Sequence, residues 1–168
     1  MEEMIEAAPQ ILEHLDHPYK LPTPLKWRAS VRNWFVAKNS PTRVILCGEG
    51  ADEMIEGYPP HTSRLSGHPY KLSSRQLTAI QSLPDINLDR TNKLGLAHSK
   101  EYRAPFLAST LSYWLMSSGK RVGKQILRDA LKTLGAPSEL LERPKWGTDE
   151  VFFDRSFSLV TSTLRVQK

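Results

Sequence analysis

The feature that most constrains this chain is a short apolar run that leads into a glycine-rich turn. Residues 43–47, Arg-Val-Ile-Leu-Cys, precede Gly48-Glu49-Gly50, and residues 51–58 can begin a helix. An uninterrupted apolar run of this length fits a parallel strand buried on both faces. Because strand, glycine-rich turn and helix in this order are typical of α/β proteins, the sequence predicts an α/β fold.

Helical periodicity dominates the rest of the chain. Residues 4–15 have apolar positions at helical spacing, with Pro9 expected to distort the middle. Residues 25–38 repeat that spacing, with a predicted buried stripe of Trp27, Val31, Trp34 and Phe35. Further helices are predicted at 73–83, 86–98, 107–118, 123–135 and 137–142, loops at 16–24 and 59–72, and a tail of ambiguous structure from about 156.

The strand at residues 43–47 is the one clear strand in the sequence, and a parallel strand cannot stand alone. Its unpaired ladder groups would cost about 1–3 kcal/mol each if buried. Either further strands escape the pattern, or the neighbouring strands lie on another polypeptide segment. In the second case the isolated chain is expected to associate or to dissolve poorly.

Length and composition limit the possible classes of protein. With 168 residues, 23 Lys+Arg and 18 Asp+Glu, the chain is expected to be one domain or part of one. No apolar run is long enough for a membrane span, and the first residues do not resemble a secretory signal. The single cysteine excludes a disulfide framework and a multi-cysteine zinc site, so a cytoplasmic location is expected.

Positive charge is concentrated between residues 90 and 145, which hold eleven Lys/Arg and four acidic residues. Most of these side chains are expected to be solvated, and the excess favours an anionic partner. Nucleic acid is less favoured than small-molecule phosphates, because no block of five basic residues occurs.

Carboxylates crowd the glycine-rich turn. Glu49, Asp52 and Glu53 lie within five residues, where they repel one another unless a cation or hydrogen-bond donors intervene. Gly48 and Gly50 permit a tight turn and close approach to a ligand, which the first amides of the following helix would face. Simple helix capping and a metal or catalytic role fit this pattern equally well.

Three later motifs also carry charged side chains. Glu101 and Arg103 project to the same side if their segment is extended, where an ion pair with a neighbour is the simplest interpretation. Lys124 and Arg128 are predicted to share one helix face at i,i+4. Lys145 follows a proline that stops a helix, so it is predicted to lie on a loop that can reach a ligand.

The order of these motifs resembles the synthetase domain of the asparagine synthetases, in the superfamily that includes the β-lactam synthetases. The shared motifs are Cys-Gly-Glu-Gly-Ala-Asp-Glu, Glu-x-Arg-x-Pro-Phe-Leu, Lys-x-x-x-Arg and Arg-Pro-Lys, and the best match covers residues 22–150. The resemblance implies the C-terminal part of a doubly wound parallel-sheet domain of the adenine-nucleotide α-hydrolase-like (ATP pyrophosphatase) type. That partial, mostly helical domain would span 1–155, with 156–168 as a tail.

The resemblance also implies a reaction. Members bind ATP with Mg²⁺, adenylate a carboxylate substrate (aspartate in the type enzyme), and let ammonia from a glutaminase domain or subunit displace AMP. By match to the motifs, Asp52 would help to hold Mg²⁺, Glu49 would face the acyl-adenylate during amine attack, and Lys124 and Lys145 would contact pyrophosphate. The remaining matches are nucleotide-binding positions, Cys47, Gly48 and Gly50, and site-organising positions, Glu53, Arg128 and the buried pair Glu101 and Arg103.

Two features of the family are missing from these 168 residues. The pyrophosphate-gripping stretch Ser-Gly-Gly-x-Asp-Ser does not occur, and position 2 is Glu2 where glutaminase domains begin with a catalytic cysteine. The polypeptide alone is therefore expected to be inactive in aspartate-dependent ATP–pyrophosphate exchange. Whether a partner chain supplies the missing sheet is left open by the sequence. The alternative is a non-catalytic pseudoenzyme, a nucleotide-binding or regulatory relative of the same fold.

Overall fold

A computed structural model describes residues 2–15, 23–55, 57, 74–117 and 124–142. Lys145, the predicted loop at 59–72 and the tail at 156–168 lie outside the described residues.

Helices make up most of this part of the chain. The elements, in chain order, are α1 Glu2–His14, α2 Pro24–Asn39, β1 Val44–Leu46, α3 Ala51–Met54, α4 Ser74–Leu83, a π turn Pro84–Leu88, α5 Asp89–Leu96, β2 Glu101–Arg103, a 3-10 turn Pro105–Leu107, α6 Ser109–Ser117, α7 Gln125–Thr133 and α8 Ser138–Glu142. None of the described helices has the length and hydropathy that crossing a membrane requires.

The strands β1 and β2 form a two-stranded parallel sheet, which confirms the α/β prediction. The Glu101 N–H donates to the Arg43 carbonyl at 2.9 Å, and the Cys47 N–H donates to the Arg103 carbonyl at 2.8 Å. The strand at 43–47 is therefore paired on one side by a strand that the sequence pattern missed. The prediction of burial on both faces is wrong, because Leu46 is 71% exposed.

The first of two compact units contains the described residues 2–15, 23–45 and 89–102. Its core lies between α1, α2 and α5, and the predicted stripe on α2 is confirmed: Trp27, Val31 and Trp34 are buried and Phe35 packs against them. The helix α2 begins at a proline, and the preceding Thr23 side chain accepts a hydrogen bond from a backbone N–H of the first turn. The helix α1 continues through its proline.

The second unit contains the described residues 46–55, 57, 74–88, 103–117 and 124–142. Its core joins α3, α4, α6 and α7 through a cluster of buried apolar side chains, Met54, Ile55, Leu83, Leu115 and Ile126. The helix α3, Ala51–Met54, begins where the sequence predicts a helix start. The glycine-rich turn lies in this unit, directly before α3.

Candidate functional site

The glycine-rich turn depends on the backbone conformation of Gly50. Its φ is +87°, in the left-handed region where side chains are disfavoured, and a Cβ there would overlap the Leu107 side chain. Gly48 is different, because a Cβ built on it meets nothing within 4 Å. The Ala51 N–H closes the turn onto the Gly48 carbonyl at 3.2 Å, and α3 follows. Both glycines are predicted to bind nucleotide. Gly50 is needed for the backbone conformation of the turn, whereas Gly48 leaves space for a ligand beside its backbone.

An ion pair connects two of the predicted motifs. The Lys124 Nζ lies 2.8 Å from the Asp52 Oδ1, with 33% and 24% of the two side chains exposed. Asp52 follows the glycine-rich turn, whereas Lys124 comes from the segment directly before α7. The structure thus brings together the predicted metal-holding carboxylate and one of the predicted phosphate-contacting lysines.

Lys124 reaches Asp52 from outside the helix that the sequence predicted for it. It precedes α7 with a left-handed φ of +66°, so the prediction that Lys124 and Arg128 share one helix face is wrong. The Lys124 carbonyl accepts hydrogen bonds from the N–H groups of Leu127 and Arg128, at 3.0 and 3.1 Å, and so starts α7. Arg128 itself is half-buried.

The other two carboxylates of the turn share a donor that the sequence analysis did not identify. Asn87, in the π turn, donates from Nδ2 to Glu49 Oε2 at 3.0 Å and approaches Glu53 Oε1 at 3.5 Å. Glu53 is buried, and the buried Gln76 donates to the carbonyls of Glu53 and Met54. The signal that points to such partners is the turn itself, because three close carboxylates require donors.

Cys47 lies at the end of β1 and is half-buried. Burial raises the pKa of the Cys47 thiol, and the negative charge of Glu49 raises it further, against a lowering by a backbone hydrogen bond from Glu49. A raised pKa keeps the thiol protonated at neutral pH, which does not suit a nucleophile. This position can therefore line a ligand site without taking part in covalent chemistry.

Glu101 and Arg103 occupy the first and last positions of β2. Both side chains are exposed, so the prediction that they are buried is wrong, and their site-organising role stays a prediction. The physical reason is that side chains in a two-stranded sheet of three-residue strands have few neighbours to cover them.

Within the described ranges, no group of three or more His, Cys, Asp or Glu residues is arranged to hold a metal ion. Mg²⁺ does not need such a group, because it is commonly held by one or two carboxylates together with substrate phosphates and water. Asp52 is a carboxylate of the kind that this mode of binding uses.

We call residues 48–53, with the carboxylates of Glu49, Asp52 and Glu53, the acidic turn. These features define an α/β protein in which a parallel strand leads into this turn, and a lysine from a later segment pairs with it. The family model described as asparagine synthase matches residues 1–82 and 66–161, which together cover most of the chain. The chain therefore belongs to the asparagine synthase family.

Individual relatives agree with this assignment. The chain is 28% identical to a mouse asparagine synthetase (glutamine-hydrolyzing) over an alignment of 177 positions including gaps. The alignment covers 98% of this chain and 30% of the mouse protein. It is 29% identical to the bovine enzyme of the same name over 140 residues, or 79% of this chain and 24% of that protein. It is also 32% identical to human asparagine synthetase domain-containing protein 1 over 91 residues, or 50% of this chain and 14% of that protein. The chain thus spans less than a third of the length of these relatives.

Proposed function

We propose that the acidic turn and Lys124 form part of an ATP-dependent amide-forming site. The observation that carries the proposal is the ion pair between Asp52 and Lys124 at 2.8 Å, formed directly after a glycine-bounded turn at the end of a parallel strand. In α/β proteins, ligands bind at the carboxyl ends of parallel strands. Family membership supports the ATP-dependent amide-forming chemistry.

The ion pair is suited to exchange for Mg²⁺ and phosphate. In the absence of nucleotide, Asp52 and Lys124 neutralise each other; when Mg-ATP binds, the ammonium can pair with phosphate oxygens and the carboxylate with the metal. Mg²⁺, if bound there, would be held by Asp52 and would offset the negative charge of the phosphates. Lys124 then stabilises the charge that develops on the leaving pyrophosphate as a carboxylate is adenylated. Lys145 is proposed as a second lysine in this role.

Glu49 is proposed to act in the second half of the reaction. It lies on the turn between two glycines, where its carboxylate accepts a hydrogen bond from Asn87. We propose that this carboxylate faces the acyl-adenylate and accepts a proton from the amine as the C–N bond forms and AMP leaves. By analogy with the names of the relatives, the acyl group is that of aspartate and the nitrogen comes from glutamine as ammonia.

The proposal extends to the surrounding fold. We infer that β1 and β2 belong to a doubly wound parallel sheet of the adenine-nucleotide α-hydrolase-like type, within a partial domain at residues 1–155. The exposed Leu46 side chain of β1 supports this, because parallel sheets are normally covered on both faces. A partner chain that extends the sheet and places helices on that face would cover it.

Calorimetric titration with Mg-ATP tests the proposed function. The purified chain is expected to bind Mg-ATP saturably, and the Glu49→Gln variant is expected to bind it with a Kd within about twofold, because Glu49 acts after the nucleotide is bound. Absence of binding to the folded wild-type chain would contradict the proposal. A large loss of Mg-ATP affinity in Glu49→Gln would contradict the role given to Glu49.

A further inference from the structure

The amide of Asn87 lies between two carboxylates of the acidic turn. Its Nδ2 is 3.0 Å from Glu49 Oε2 and 3.5 Å from Glu53 Oε1, and the Asn87 side chain is half-buried. We propose that Asn87 is a positioning residue that holds the Glu49 carboxylate in place by tying it to the buried Glu53. The functional part of this inference rests on the proposed role of Glu49 in amide formation.

The chemistry of the amide group suits this task. A side-chain amide carries two N–H donors on one nitrogen, one for each carboxylate, and hydrogen bonds to charged acceptors are about twice as strong as neutral ones. Without such a donor, Glu49 and Glu53 would repel each other across the turn. An apolar side chain of equal size would remove both of these hydrogen bonds.

The two carboxylates differ in burial, and Asn87 therefore connects the less buried one to the more buried one. Glu53 is 5% exposed and lies in α3, whose carbonyls at Glu53 and Met54 accept hydrogen bonds from the buried Gln76 of α4. Glu49 lies on the turn before α3 and is only half-buried. Through its two hydrogen bonds, Asn87 therefore holds the Glu49 side chain against the packed helices α3 and α4.

The π turn at Pro84–Leu88 explains how Asn87 reaches the site. Such a turn inserts a residue into a helical path and changes the direction of the side chains around it, often at functional sites. Here it follows α4, the helix that packs on α3, and Asn87 is its fourth residue. Accurate placement of a carboxylate that acts on an attacking amine requires support of this kind, to within about 0.5 Å.

Thermal unfolding of paired variants tests the contact. Asn87→Leu keeps the side-chain size but removes both donors, and it is expected to lower the Tm of the full chain by about 3–6 °C. In a Glu49→Ala background the same substitution is expected to lower the Tm by less than half as much, because the repulsion and the principal hydrogen bond are already gone. Asn92→Leu, at an exposed position of α5, is the matched control and is expected to lose no stability. Equal losses in the two backgrounds would overturn the proposal.

The NMR signals of the Asn87 side-chain amide provide a readout that a space-filling role would not affect. These signals, assigned by their absence from Asn87→Leu, are expected to shift in Glu49→Ala and to stay unchanged in Glu139→Ala, at an exposed position of α8. An Asn87 amide that does not respond to Glu49→Ala would overturn the positioning role. That result is distinguishable from failure of the proposed function, which the Mg-ATP titration reports independently of Asn87.

Discussion

At the scale of single residues, the surroundings of Cys47 change the pKa of its thiol. It directly follows β1, it is half-buried, and the negative charge of Glu49 is nearby. Burial is the largest cause of its raised pKa, so the thiolate is scarce at neutral pH. A neutral thiol fits the proposed nucleotide-binding role of this position, because a thiolate would repel phosphates.

The raised pKa predicts slow alkylation of Cys47. At pH 7 the chain should react with iodoacetamide more slowly than a free cysteine, and the rate should rise with pH through a midpoint above that of the free thiol. In Glu49→Gln, the midpoint should move to lower pH because one negative charge is gone, whereas Glu139→Gln should leave it unchanged. A rate at pH 7 equal to that of free cysteine would contradict this account of the Cys47 environment.

At the scale of elements, the turn between β1 and α3 depends on one glycine and on the element that packs against it. Gly50 has a φ of +87°, and a Cβ there would overlap Leu107, which belongs to the 3-10 turn after β2. The neighbouring Gly48 has free space around its Cα. Gly48 and Gly50 are two residues apart, but only Gly50 lacks the space and the backbone conformation for a side chain.

The pair Gly50→Ala and Gly48→Ala tests that difference. Gly50→Ala should lower the free energy of unfolding by about 2–4 kcal/mol, from the left-handed backbone and the overlap with Leu107. Gly48→Ala should change it by less than about 1 kcal/mol. Urea unfolding of both variants measures the difference, and equal stability would show that the turn adopts another conformation.

The elements also show what the sequence could and could not predict. The buried stripe of α2 was predictable because it repeats with a period that residues alone reveal. The strand β2 was missed as a strand because Glu-Tyr-Arg has no continuous apolar run, and its pairing depends on β1. Asn87 gave no local signal either, because its role arises from a π turn that brings it to a carboxylate far away in the sequence.

At the scale of the whole molecule, the basic stretch between residues 90 and 145 contributes a lysine to the acidic turn. Lys124 lies in that stretch and reaches the carboxylate of Asp52. The motif order in the sequence predicted that these residues belong to one site. The geometry could not be predicted, because Lys124 reaches Asp52 from a left-handed backbone position before α7 rather than from the helix face.

The central claim is that Lys124 and Asp52 together bind Mg-ATP, and the most direct measurement is the Mg-ATP affinity of two matched lysine variants. Lys124→Ala should raise the Kd for Mg-ATP by about tenfold or more, because it removes a charge-assisted contact and leaves Asp52 facing the phosphates. Lys132→Ala, which removes an exposed lysine in the last turn of α7, should change the Kd by less than about twofold. Equal affinities of the two variants, with both folded, would contradict the claim.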